Sequence, residues 1–404
     1  MNIVLLCENF FKDCGGIETF AREFAVALGR RGHRVHVIAK DVGNRNRDLR
    51  AQGVETHAIP LKETPFSGYW KIDSFFPLDD LRFAHAAAKK IYELNRKDPL
   101  DIVEAMDYFR QGIWLAINKK FALFLRLHGW MFNRQDGRVN PIKKMNMREK
   151  FLWHFQQKCI KEADGVAAVS KDFRDFVREV WRVGNKPLGV IHNAVDSTRY
   201  TTGKPQEQRE QAIIFAARLA KIKGIKVLAD SAAEILKEFP EVKFYFAGKN
   251  VPWAEEGITA QDYLTQKIPS RNLVILGEVA AHEVTPYYQR CQICVLPSLY
   301  EPFGIMALEA MACGCALVAS ASGGLKDIVE DGEDGLLVTP NDSKALAAAI
   351  LRFFKDVRLR EKCSQNGVKK VRDRFNYDRL VDESIVAYQD AIRNFQDKLK
   401  RSRG

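Results

Sequence analysis

Short apolar runs alternate with amphipathic stretches along the whole chain, and the alternation predicts strands interleaved with helices. In the N-terminal half, "NIVLLCE", "HRVHVIAK", "DIVEAM", "FALFLRLHG", "GVAAVS" and "PLGVIHN" read as strands. Between the first two, "IETFAREFAVALGRRG" sets Ile17, Phe20, Phe24 and Leu28 on one helical face, and Gly32 marks the helix end. Strands that alternate with helices predict a parallel sheet covered on both faces.

The pattern then breaks and restarts. Residues 196–211, "DSTRYTTGKPQEQREQ", are polar and contain Gly and Pro, so they read as an inter-domain linker. Beyond them come the strand "AIIFAAR", the helix "IKVLADSAAEILKEF" and the strands "VKFYFAG", "NLVILGE" and "CQICVLP". A helix at 304–312 and the strands "CALVAS" and "DGLLVTP" complete the series. The expected fold class is α/β, with two doubly wound Rossmann-like domains at 1–195 and 212–376. A length of 404 residues, too great for one ordinary core, agrees with two domains. Ligands of such sheets bind at the carboxyl ends of the strands and in the cleft between the halves.

Composition narrows the class. Hydrophobic residues at 46% and charged residues at 28% describe a globular protein without a disordered bias. No apolar run reaches the roughly 18 residues of a membrane helix, and "MNIVLLCENFF" lacks the basic start of a signal peptide. The default location is cytoplasmic. The eight cysteines are scattered, as reduced thiols are. Cys291-x2-Cys294 followed by Cys313-x-Cys315 has a zinc-like layout, but "CQICVLPS" has the apolar density of a buried strand, which is the preferred reading.

The net charge of +12 favours anionic partners. It is uneven: residues 119–150 carry a run of Lys and Arg against only Asp136 and Glu149. That stretch reads either as a solvated basic face or as a surface for an anionic membrane or an acidic acceptor.

Three stretches have chemical promise. Gly15-Gly16 follows the first strand and opens a helix, an arrangement that suits an anion, although a double glycine there is more often a plain turn. It is not the G-x-G-x-x-G dinucleotide fingerprint. In "FAARLAKIKGIKVL", Arg218 at a strand end and Lys223 five residues on are placed to clamp a diphosphate; alone they also read as two surface cations. The third is "YEPFGIMALEAMACG". Gly304 lets a ligand approach the helix start, Glu301 lies before that helix, and Glu309 sits among apolar residues where a carboxylate requires a partner. A vicinal diol of a sugar is one such partner; a salt bridge on a capped surface helix is the plainer alternative.

"EPFGIMALEAMACG" resembles the E-x7-E signature of retaining glycosyltransferases of family 4, which have the two-domain GT-B fold. "GGIETFAREFAVALGRRGHRVHVIA", "HG" at 128–129, "AVS" at 168–170, "IHNAVD" at 191–196, "ARLAKIKGI" and "GGLKDIVEDGEDGLLV" resemble further landmarks of that family, in the same order. The resemblance implies that Arg218 and Lys223 hold the donor's diphosphate and stabilise the leaving group. It gives Glu309 the ribose hydroxyls, and gives Glu301, with backbone N–H groups near Phe303, Gly304 and Ile305, the transferred sugar. It places Gly16, beside Gly15, at the phosphates, the backbone around Val279 at the nucleobase, and His128 near the reacting carbon. It also implies that the final helix joins the N-terminal domain through 377–404.

Two departures stand out. His192-Asn193-Ala194 replaces the family's usual Pro-Asn-Gly, and Asp327 stands where Glu is common. Residues 62–80 and 130–150 match no family landmark, as expected of segments that shape an acceptor site.

The expected reaction moves a hexosyl group from a nucleotide diphosphate sugar, with UDP favoured, to a hydroxyl with retention of configuration. A front-face displacement, in which the leaving phosphate helps to deprotonate the acceptor, is the mechanism that such enzymes imply. No D-x-D occurs in the chain, so no cofactor and no metal is expected at the diphosphate. Expected partners are the donor, a saccharide or lipid-linked saccharide acceptor of cell-envelope polysaccharide or lipopolysaccharide assembly, and an anionic membrane surface at 119–150. That surface would make the protein peripheral at the inner membrane face; nucleic acid is not expected. The rival readings are a sugar-nucleotide epimerase or hydrolase on the same fold, and a non-catalytic nucleotide-sugar-binding protein.

Overall fold

A computed structural model describes residues 1–11, 16–43, 49–60, 78–106, 112–118, 120–129, 147–181, 183–184, 186–253, 257–280 and 283–403. The chain divides into two units. Among the described residues, one comprises those of 1–129, 147–192 and 377–403, the other those of 193–376.

The first unit is built on a seven-stranded sheet in the order β3-β2-β1-β4-β5-β6-β7. Its strands are β1 (Asn2–Leu6), β2 (Arg34–Lys40), β3 (Val54–Ile59), β4 (Ile102–Met106), β5 (Ala122–Leu127), β6 (Gly165–Ala168) and β7 (Gly189–Val190). Every pairing is parallel. Strands covered on both faces are mostly apolar, and β4 and β5 are buried at every position, Glu104 and Arg126 being their charged members. The edge strand β3 (VETHAI) is buried only at its ends, and it has no apolar run for a sequence reading to find. The helix Gly16–Arg30 turns Phe20, Phe24 and Leu28 inward.

The last helix, Tyr377–Arg403, packs in this unit around a buried polar knot. Arg126 Nε donates to Glu104 Oε1 at 2.7 Å and its Nη2 to Glu104 Oε2 at 3.1 Å, both side chains being fully buried. From the last helix, the Tyr388 hydroxyl donates to the same carboxylate, and Ser384 Oγ accepts from Arg126 Nη2 at 2.8 Å. A buried ion pair is tolerated when its remaining lone pairs and protons are used, and here the C-terminal helix uses two of them. The guanidinium also lies over Phe24 and Phe20, 4.9 and 5.7 Å from the ring centroids.

The second unit has a six-stranded sheet in the order β12-β9-β8-β13-β14-β15. Its strands are β8 (Glu210–Ala216), β9 (Lys243–Ala247), β12 (Leu273–Gly277), β13 (Cys291–Leu296), β14 (Ala316–Ser320) and β15 (Leu336–Val338). A short antiparallel pair, β10 (Pro252–Trp253) with β11 (Ile258–Thr259), lies apart from it. The core packs Phe215, Phe244, Phe246 and Val295 of the sheet against Leu228 and Ile235 of one helix and Ile350 and Phe353 of another.

Residues 196–211, expected as a linker, fold within this second unit. Tyr200, Gln206 and Arg209 are buried. Arg209 donates to the carbonyls of Lys204 at 2.8 Å, Tyr288 at 3.1 Å and Cys313 at 2.8 Å, and Gln206 Nε2 donates to Gly314 O at 2.6 Å. The polar composition that suggested a linker instead satisfies the carbonyl end of the helix Ile305–Ala312. The cysteine pairs are structural. Burial pushes the thiols of Cys291, Cys294, Cys313 and Cys315 up, and Cys315 Sγ donates to Cys291 O at 3.3 Å. Among the described residues, no helix is long and apolar enough to cross a membrane.

Candidate active site

The carboxyl end of β13 runs through Pro297–Tyr300 to Glu301 and then into the helix Ile305–Ala312. Glu301 is 8% exposed. Its Oε2 accepts from Lys223 Nζ at 2.7 Å and from Ser298 Oγ at 3.2 Å, whereas Oε1 carries no hydrogen bond among the described residues. Lys223 closes a single helical turn, Lys221–Lys223, in the loop after β8. Leu299 N–H donates to Ile222 O at 2.9 Å, which fastens that turn to the segment carrying Glu301.

The backbone of Glu301 is held from the other side by Gly323-Gly324. Gly324 N–H donates to Glu301 O at 2.8 Å. Gly323 has φ 55°, and a Cβ there would lie 1.9 Å from that same carbonyl, so only glycine allows the approach. Gly304 caps the helix at φ 110°, a left-handed position in which a Cβ would meet Leu325 Cδ2 at 2.7 Å. The N–H groups of Gly304 and Ile305 open this helix without a partner within it and are suited to an anion or a hydroxyl oxygen. Phe303 is buried, its ring edge-on to Phe375 at 6.2 Å.

Glu309 lies further along the same helix. The Tyr200 hydroxyl donates to its Oε1 at 2.8 Å and the Tyr288 hydroxyl to its Oε2 at 3.1 Å. Burial and the neighbouring Glu309 push the Tyr288 hydroxyl well above its ordinary range, so it stays a donor. The partner that the apolar surroundings of Glu309 demanded is thus supplied within the chain. Neither tyrosine, nor Ser298, was marked by the sequence reading. Tyr200 lies in the polar segment, and nothing in its spacing from Glu309 points to a contact.

Arg218 follows β8 and is exposed, with no ion pair among the described residues. The structure brings Lys223 to Glu301 and leaves the Arg218 side chain apart from that pair. Val279 is half-buried just beyond the end of β12.

In the first unit, Gly16 opens the helix Gly16–Arg30; Gly15 lies outside the described residues. His128 follows β5 and is 7% exposed. Its Nε2 is buried without a hydrogen-bond partner among the described residues, and its ring lies edge-on to Phe20 at 4.9 Å. Burial and then the Arg126 charge bring its pKa down to about 3, so the imidazole is neutral. Of the basic stretch 119–150, residues 119 and 130–146 lie outside the described residues.

These features match known proteins along the chain. The profile described as "Glycosyltransferase Family 4" matches residues 14–199, and that described as "Glycosyl transferases group 1" matches 198–370. The chain belongs to glycosyltransferase family 4. An uncharacterised glycosyltransferase of Methanocaldococcus jannaschii is 25% identical over 400 residues, covering 94% of this chain and 95% of that one. The sucrose-phosphate synthase of Thermosynechococcus elongatus superposes on this family 4 enzyme with a TM-score of 0.76, at 22% identity, covering 96% of this chain and 98% of that one. Anabaena HepE, solved in complex with UDP-glucose, gives a TM-score of 0.70 at 19% identity, covering 98% and 100%. The two parallel-sheet units are those of the GT-B fold, and the chain is a glycosyltransferase.

Proposed function

We propose that this glycosyltransferase moves a hexosyl group from a UDP-sugar to a hydroxyl of a saccharide or lipid-linked saccharide, with retention of configuration. The observation that carries the proposal is the arrangement on one short helix: Glu301 paired with Lys223 before its start, and Glu309 held by two tyrosines within it. The two carboxylates act as a ruler for a nucleotide sugar. Glu309 takes the ribose hydroxyls. Glu301 grips the hydroxyls of the transferred sugar through Oε1, oriented by Lys223 and Ser298. Lys223 and Arg218 meet the diphosphate and stabilise charge as it moves onto the leaving group. The N–H groups of Phe303, Gly304 and Ile305 assist at the sugar, Gly16 at the phosphates, and the backbone near Val279 meets the base.

His128 is proposed to hydrogen-bond the sugar near the reacting carbon, a role suited to a neutral imidazole with an unused nitrogen. Cations and helix N-termini neutralise the diphosphate, so the transfer itself is proposed to need no metal. UDP is favoured because HepE, of the same fold, was solved with UDP-glucose. The acceptor reading rests on the basic balance of the chain and places it in cell-envelope polysaccharide or lipopolysaccharide assembly, with peripheral contact at an anionic membrane face.

A panel of UDP-, GDP- and ADP-sugars, read by thermal shift and donor hydrolysis, tests the proposal. Stabilisation by a UDP-hexose and hydrolysis with a retained anomer support it. Stabilisation by no nucleotide sugar at all overturns it.

A further inference from the structure

The edge of the sheet in the first unit carries a cluster that the transfer reaction does not use. In the parallel pairing of β2 with β3, His36 lies opposite Glu55 and Ile38 opposite His57. Because side chains alternate along a strand, Glu55 and His57 share a face. His36 joins them there: its Nδ1 is 3.2 Å from His57 Nε2 and 3.4 Å from a Glu55 carboxylate oxygen, and the other oxygen is 3.7 Å from His57 Nε2. His36 is nearly buried and His57 mostly so, at 4% and 11% side-chain exposure, whereas Glu55 is 43% exposed. All the ligand atoms lie within 4.8 Å of one another.

We propose that His36, His57 and Glu55 form a binding site for a divalent transition metal, Zn²⁺ by preference, that clamps the edge strand β3 to β2. Two imidazole nitrogens bound to one tetrahedral zinc at about 2.0–2.1 Å are about 3.3 Å apart, close to the spacing in the structure. Two imidazoles and a carboxylate form a borderline donor set that prefers zinc, copper or nickel over calcium or magnesium. Three protein ligands leave a coordination position for water, and the exposed side of Glu55 provides the entry path. Arg34, Lys90 and Arg50 add positive charge nearby, which Glu55 itself and Asp98 oppose. Without an ion, the two rings share a single N–H between their facing nitrogens, the simplest alternative arrangement. The strand pair carries none of the residues proposed for sugar transfer, so the site is structural. An edge strand has a free row of backbone groups on one side, and a metal clamp opposes its fraying.

The test uses the untagged full chain, freed of metal by dialysis against a chelator. ZnSO₄ is titrated by calorimetry, and Co²⁺ binding is followed by its visible absorption. The expected result is one equivalent bound, without the near-ultraviolet band of thiolate ligation. Zn²⁺ at a hundredfold excess over its Kd is expected to raise the melting temperature by about 5 °C. His57→Asn and Glu55→Ala should each weaken binding at least ~10-fold and abolish that rise, while the metal-free melting temperature stays near that of wild type. Both positions are used because His36 is too buried for its replacement to be a clean control. The absence of saturable binding overturns the proposal, as does unchanged affinity in both variants or a thiolate band with Co²⁺.

Discussion

Lys223 Nζ lies 2.7 Å from Glu301 Oε2, and the turn carrying the lysine is tied to the segment carrying the glutamate by the Leu299–Ile222 backbone bond. The ion pair is partly exposed, at 20% and 11% of the two side chains, so its contribution to stability is small and its importance is positional. Removal of Lys223 takes away a cation at the proposed diphosphate and frees Glu301 to rotate. Lys223→Ala and Glu301→Gln are each expected to lower kcat about 10²–10³-fold. Initial rates with a UDP-hexose, alongside calorimetric nucleotide affinity, check this. A Glu301→Gln enzyme with wild-type kcat would remove Glu301 from the sugar site.

The Arg126–Glu104 pair is the opposite case, because it is fully buried and its partners come from the far end of the chain. Glu104→Ala leaves a buried guanidinium without its counter-charge and is expected to cost about 3–5 kcal/mol in urea denaturation. Tyr388→Phe removes one hydrogen bond to a charged group and should cost about 1.5–3 kcal/mol. An apolar double replacement, Glu104→Leu with Arg126→Met, should be less destabilising than Glu104→Ala alone, because it leaves no unpaired charge. Equal losses for the single and double variants would mean that shape, rather than charge pairing, holds the C-terminal helix.

The sequence made the sheet of each unit legible for a simple reason: strands covered on both faces are mostly apolar, as β4, β5 and β13 are, with Glu104, Arg126 and Gln292 the buried polar exceptions. It failed where that constraint is absent. β3 is an edge strand with polar positions, and its Val54-Glu55-Thr56-His57 pattern resembles a loop. Residues 196–211 look like a linker because their burial is paid for by backbone carbonyls and not by apolar contacts. In the candidate site, Glu309 was readable as needing partners because a carboxylate within an apolar helix demands them. Their identities were not, since Tyr200 and Tyr288 reach Glu309 only through tertiary folding.

His128 provides a pH signature. Its pKa falls from 6.5 to about 3 on folding, so the native state holds it neutral while the unfolded chain protonates it below about pH 6.5. The unfolded state therefore binds the extra proton between these values. Stability is unaffected above pH 6.5 and falls as the pH drops toward 3, by about 1.4 kcal/mol per pH unit for one proton. His128→Asn should flatten the dependence of unfolding free energy on pH between 6 and 4 by close to one proton relative to wild type. Urea titrations at several pH values measure the difference, and parallel curves for the two proteins would show that His128 is not held neutral. The carboxylates titrate in the same range, but they do so in both proteins and cancel in the comparison.

Tyr200 and Tyr288 each donate one hydrogen bond to Glu309, and the two donors should separate stability from binding. Tyr288 is fully buried, and its hydroxyl stays protonated through the physiological range because burial and Glu309 both oppose its ionisation. Tyr288→Phe removes the donor from Oε2 without changing the ring, and the loss should be about 1.5–3 kcal/mol because the acceptor is a carboxylate. Tyr200→Phe should act similarly on Oε1. If Glu309 is the ribose ligand, its orientation matters more to the nucleotide than to the transferred sugar. Both variants should then raise the Kd for UDP about 3–10-fold while kcat at saturating donor stays within about twofold, because uniform binding is lost from ground and transition states alike. Glu309→Ala should raise the same Kd further, and adding Tyr200→Phe to it should change little, since the tyrosine acts through the carboxylate. A Tyr200→Phe effect that persists undiminished in the Glu309→Ala background would show that the tyrosine meets the nucleotide by another route.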